Sequence, residues 1–202
     1  MEKALKDARK VHSKESDLKT FKKSIISSLG DYASTVLIDS NFGPSLISSF
    51  PKTCLPMMAF EADVYHISDK DRITKLPDNI SISDFSKIGY KVLKFFMYYA
   101  PNDDSEINNQ KQQIIENIGK ECVANNISFL MEPLVYDPFK KPGSLDYAFL
   151  KPKLVEQATK IFSHPKFNIN ILKVEVPVDL SFVEGFGDPI MKQSDAIKCF
   201  KE

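Results

Sequence analysis

Ile171-Leu172-Lys173-Val174-Glu175-Val176-Pro177-Val178, ILKVEVPV (171–178), is a run of strand-forming residues that holds an ammonium group and a carboxylate in its middle. Its richness in branched apolar residues marks a β-strand, read here as Ile169 to Val178. Side chains alternate along a strand, so Lys173, Glu175 and Pro177 share one face and Leu172, Val174 and Val176 the other. If the sheet curls into a barrel, the face carrying Lys173 and Glu175 would line its interior.

Working outward, the same alternation of strand and helix recurs along the chain. A helix is expected where Leu18, Phe21, Ile25, Ile26 and Leu29 recur at helical spacing, with Gly30 at the C-terminal cap position. Strands are expected at Ser34 to Pro44, at Thr53 to Ile67, at Lys91 to Pro101 and at Ile127 to Asp137. A short helix around Ile82, Phe85 and Ile88 closes at Gly89. A longer one runs from about Glu106 to Cys122, with Asp104 or Ser105 as N-cap and Ile107, Ile114, Ile118 and Cys122 as its stripe. Pro152 suits the first turn of the next helix, whose apolar face is Leu154, Val155, Ala158, Ile161 and Phe162. A last helix begins near Ser194. Five β-α units with no linker between them indicate an α/β protein with a parallel sheet. The segments after the strands, 101–105, 137–150 and 179–193, are where such folds build their sites.

Composition narrows the function. The 202 residues carry 27 Lys+Arg and 27 Asp+Glu, for a net charge of +0, so neither nucleic acid nor an anionic membrane is an expected partner. No apolar run reaches the roughly 18 residues of a membrane span, and the N-terminus has no secretory core, so a cytoplasmic protein is expected. Cys54, Cys122 and Cys199, like His12, His66 and His164, are scattered without metal-ligand spacing. No glycine-rich phosphate loop and no G-x-S-x-G are present. Any chemistry must come from lysines and carboxylates.

Those residues stand inside successive strands: Lys94 in VLKFFMYY, Glu132 in FLMEPLVYD, and Lys173 with Glu175 in ILKVEVPV. An unpaired charge in a strand covered on both faces costs several kcal/mol, roughly, unless it is paired or neutralised. One explanation is a structural ion pair, Lys94 with Glu132 or Lys173 with Glu175. The other is a reactive centre. An amine desolvated beside a second ammonium is partly unprotonated at neutral pH, as attack on a ketone to form a Schiff base requires. A carboxylate such as Glu132 could then move protons during carbinolamine dehydration and carbon–carbon cleavage.

ILKVEVPVDLSFVEGF (171–186), FLMEPLVYD (129–137), VLKFFMYY (92–99), QKQQIIENIGKEC (110–122) and YASTVLIDSNFGP (32–44), together with KLPD (75–78), resemble the tagatose 1,6-bisphosphate aldolase family over nearly the whole chain. The resemblance implies a (β/α)8 TIM barrel and metal-independent, Schiff-base (class I) aldol chemistry with no cofactor. It implies cleavage of a ketohexose 1,6-bisphosphate to dihydroxyacetone phosphate and glyceraldehyde 3-phosphate, as in lactose and galactose catabolism. By the same resemblance Lys173 is the Schiff-base lysine, Glu132 the acid/base and Lys94 a substrate-binding lysine beside the reacting centre. The expected partner is a phosphorylated ketose, and a homo-oligomer is compatible with the family.

The departures carry expectations too. Lys3-Ala-Leu-Lys6 is similar to residues just beyond the family's first strand, and the C-terminal helix to the one after its sixth. The chain is therefore expected to form one partial barrel domain over 1–202, with the family's strands two to six. Its phosphate loops after strands seven and eight are not matched. The family's Glu-Lys-Thr-Gly-Tyr pattern is Glu61-Ala62-Asp63-Val64-Tyr65 here. Two alternatives follow: a truncated, catalytically weak or inactive remnant (a pseudoenzyme) of that family, or a sister aldolase for another phosphorylated or sulfonated ketose.

Overall fold

The computed structural model describes residues 14–62 and 72–201. Residues 3–6 and 63–67, with His12 and His66, lie outside the described residues. Five strands form one parallel sheet in chain order: β1 (Thr35–Ile38), β2 (Leu55–Ala59), β3 (Val92–Tyr99), β4 (Ser128–Val135) and β5 (Ile171–Leu172). Helices alternate with them: α1 (Glu15–Leu29) before β1, α2 (Gly43–Leu46) after it, then α3 (Ile82–Ile88), α4 (Ser105–Ala124) and α5 (Leu145–Phe162) between successive strands. The short α6 (Gln193–Lys198) follows β5. The order and alternation are those of part of a (β/α)8 barrel, with the sheet open at both edges among the described residues.

The outward face of the sheet carries the core. Met58 and Phe60 from β2 and its end, Leu93, Phe95, Met97 and Tyr99 from β3, and Phe129 and Met131 from β4 pack on Phe85, Ile115, Ile118, Leu154, Ala158 and Phe162 of the helices. The other face holds Lys94, Phe96 and Tyr98 of β3 and Glu132 and Leu134 of β4, as the period of two demands. A smaller cluster of Ile26, Ile38 and Leu46 joins α1, β1 and α2.

Local chemistry sets the helix ends, not always as expected. Asp104 is the N-cap of α4, its carboxylate accepting from the N–H groups of Glu106 and Ile107. Gly89 ends α3 in the left-handed region at φ 113°, as its position predicts. Gly30 does not. Its φ is −60°, it continues into a 3₁₀ turn, and a β-carbon there would stand 2.7 Å from the Pro51 ring. Close approach, not backbone freedom, is what requires a glycine there.

Three expectations need correction. Helix α5 begins at Leu145 rather than at Pro152, because the Ser144 hydroxyl accepts the Tyr147 N–H and starts the helix earlier. Pro152 lies inside that helix, where it leaves one carbonyl without its usual donor. The stripe of α4 is rotated: Ile107 and Ile114 are half-buried, while Asn108, Lys111, Ile115, Ile118, Gly119 and Cys122 are buried. Third, only Ile171 and Leu172 of the expected ten-residue strand are in the ladder, where they pair with Leu130 and Met131. No strand lies on their far side among the described residues to hold the rest.

Candidate active site

Strand register brings the charged residues to one level. Phe96 of β3 is opposite Glu132 of β4, Leu172 is opposite Met131, and the Lys173 N–H donates to the Met131 carbonyl. Lys173 therefore stands beside Glu132. On the other side, Ala59 is opposite Lys94, which places Glu61 beside Phe96. Lys94 starts two residues lower on the same face. Its stem rises past the Phe96 ring, with Nζ 4.7 Å from the ring centroid.

The result is a row of alternating charge across four strands. Glu61 Oε1 lies 2.6 Å from Lys94 Nζ, Lys94 Nζ lies 3.3 Å from Glu132 Oε2, and Glu132 Oε1 lies 2.5 Å from Lys173 Nζ. Burying Glu61, Lys94 or Glu132 alone would cost several kcal/mol, roughly, and the alternation of charge is what makes the row tolerable. Lys94, Glu132 and Lys173, singled out from sequence, are thus brought together. The Lys94–Glu132 pair anticipated from sequence forms. The Lys173–Glu175 pair does not.

Glu175 instead turns toward β4. Its Oε2 accepts the Val135 N–H at 2.6 Å, a donor that a longer β5 would have met with a backbone carbonyl. Burial pushes the Glu175 carboxyl above its usual range, against that hydrogen bond and the charge of Lys151. The expectation of a desolvated Lys173 also fails: its side chain is 60 % exposed, against 10 % for Lys94 and 15 % for Glu132. The cause is its place on the sheet edge.

Glu61 is the member that sequence reasoning passed over. It stands just past β2, inside the run from Thr53 to Ile67 that the sequence reads as one strand. Its signal was weak but present: an acidic residue two positions after a strand whose neighbour carries an interior lysine. Burial raises its carboxyl above the ordinary 4.5, against the pull of Lys94. Its Oε2 is buried with no hydrogen-bond partner. Glu132 moves the other way. Burial pushes it up, but the hydrogen bond from Lys173 and the charges of Lys94 and Lys173 outweigh that and hold it below 4.5. Glu132 is accordingly a carboxylate in contact with an exposed ammonium group.

No group of three or more His, Cys, Asp or Glu among the described residues could hold a metal ion. A groove of about 570 Å³ lies away from the row, between α5 and Val174–Pro177, and shares only Glu175 with this region. No helix among the described residues is long and apolar enough to cross a membrane.

A family model described as DeoC/LacD family aldolase matches residues 4–202. Proteins named tagatose 1,6-diphosphate aldolase from Staphylococcus aureus strains bovine RF122 / ET3-1, JH9 and Newman are each 38% identical over 177 residues. That alignment covers 86% of this chain and 54% of each relative, so the chain spans about half the length of the curated relatives it matches.

Proposed function

Because the chain belongs to the DeoC/LacD family of aldolases, we propose that its charged row is the centre of a class I, Schiff-base aldolase of the tagatose 1,6-bisphosphate type. The substrate in this reading is a ketohexose 1,6-bisphosphate, cleaved to dihydroxyacetone phosphate and glyceraldehyde 3-phosphate. The carrying observation is the contact of Lys173 Nζ with Glu132 Oε1, backed by Lys94 on the other carboxylate oxygen.

Each step uses these groups. Glu132 takes a proton from the Lys173 ammonium, and the free amine adds to the C2 carbonyl. Glu132 returns that proton to the carbinolamine hydroxyl, which leaves as water and gives the iminium. Removal of the C4 hydroxyl proton, again by Glu132, breaks the C3–C4 bond. The bonding pair passes to the iminium nitrogen as an enamine, and the aldehyde departs. Protonation at C3 and hydrolysis release the ketone and restore Lys173. Lys94 keeps Glu132 ionised and offers a cation to substrate oxygens.

Incubation with dihydroxyacetone phosphate followed by borohydride should leave one reduced adduct, on Lys173, and none in Lys173→Met. An adduct that survives in Lys173→Met removes Lys173 from the role. The exposure of Lys173 favours a second reading, a chain that forms the Schiff base but turns over slowly by itself because water is not excluded. Adduct formation without measurable cleavage of the bisphosphate would select it.

A further inference from the structure

Arg72 is held in an unusual way. Its guanidinium carbon lies 4.4 Å from the centroid of the Tyr136 ring and 5.5 Å from that of Tyr98. The backbone at Arg72 has φ 48°, and the other non-glycine residues with positive φ among the described residues are both asparagines, which adopt that region readily. No carboxylate among the described residues lies within ion-pair distance of it.

Among the described residues, Asp103, Lys111 and Asp137 nearby each have their own partners. Asp103 accepts from the Tyr136 hydroxyl, and Lys111 Nζ donates to that same oxygen at 2.9 Å. Asp137 accepts from the Asn102 side chain and from the N–H groups of Phe139 and Lys140. A fork of N–H donors stacked on aromatic rings, with its stem half-buried, is suited to a phosphate.

Its position gives the ligand. Tyr98 is four residues beyond Lys94 on one face of β3, and Tyr136, just past the end of β4, is four beyond Glu132, a rise of roughly 13 Å. The segment carrying Arg72 is tied back to the end of β2, where the Ala62 N–H donates to the Lys75 carbonyl. Arg72 therefore stands above the charged row, at the C-terminal end of the sheet, about the reach of an extended sugar chain with a terminal phosphate.

We propose that Arg72, clamped on Tyr98 and Tyr136, binds the distal phosphate of the ketose, the one on the carbon furthest from the carbonyl that Lys173 attacks. The inference rests on the Schiff-base reading of Lys173 and extends it to a specificity residue.

The test compares borohydride trapping of the full chain with a ketohexose 1,6-bisphosphate, the matching ketohexose 1-phosphate and dihydroxyacetone phosphate. In the native protein the bisphosphate should reach half-maximal trapping at a concentration about tenfold or more below the 1-phosphate, the scale of a charge-assisted hydrogen bond. Arg72→Gln should bring that ratio to about one and leave dihydroxyacetone phosphate trapping unchanged, with partial recovery in Arg72→Lys. A ratio unchanged in Arg72→Gln overturns the proposal. Should Arg72→Gln lose trapping altogether, Arg72→Lys decides: a reduced ratio supports the proposal and an unchanged one overturns it. Absence of any adduct would defeat the Schiff-base reading alone. The phosphate site is then judged by titrating inorganic phosphate against the Arg72 Nε–H resonance, where a saturable shift lost in Arg72→Gln supports it and no shift overturns it.

Discussion

Glu132 is the residue on which the site turns, since one carboxylate holds two ammonium groups and only one of them is accessible. On the proposed mechanism Glu132→Gln keeps the shape and loses the base, so cleavage should fall by about 10²–10⁴-fold, measured as single-turnover release of triose phosphate. Glu61 has a different signature. A carboxyl raised in the folded state contributes stability that is full below its unfolded value and lost as pH rises through the raised one. Glu132, lowered, contributes stability present above 4.5 and lost as pH falls through its lower value. Glu61→Gln should therefore flatten the decline in urea midpoint above pH 4.5 and leave the acid limb in place. A decline that persists in the variant would assign it to another group. Lys94, Glu132 and Lys173 were legible because a charge amid apolar strand residues is conspicuous. Arg72 and Lys111 were not, since their aromatic partners lie far away in sequence.

Among the elements, the turn before β5 does most to place Lys173. Phe167 is fully buried, Asn168 takes φ 52°, and Asn170 both donates its N–H to the Phe129 carbonyl and accepts the Phe129 N–H on its side-chain oxygen. This double bond sets the register that brings Lys173 level with Glu132. Gly119 of α4 makes room for it, because a β-carbon there would sit 1.9 Å from the Phe167 carbonyl oxygen. Gly119→Ala should cost on the order of 3 kcal/mol in urea unfolding, since the obstacle is backbone and cannot rotate away. It should also slow adduct formation at Lys173; a variant of native stability would show that the turn yields without strain. Periodicity disclosed α4 and α5 as elements, but the true start of α5 depended on a Ser144 cap that a proline downstream obscured.

At the scale of the molecule, the open edge at β5 explains both the exposure of Lys173 and the brevity of the strand. Ile171, Val174 and Val176 are each about half exposed along that edge, a surface that invites pairing with another chain. Concentration-dependent association in sedimentation velocity is expected, and Val174→Lys with Val176→Lys should reduce it; no concentration dependence in the native protein would show that the edge is protected. The sequence by itself disclosed the α/β class and the parallel order through its hydrophobic period, the family through the motifs it shares, and Lys94, Glu132 and Lys173 as charges out of place in strands, because these are local signals. The tertiary structure decided what those charges do: that Lys173 meets Glu132 rather than Glu175, that Glu61 joins the row, and that Lys173 lies open while Lys94 is enclosed. Register across strands and the position of an edge arise from contacts between distant segments, so no window of sequence could hold them.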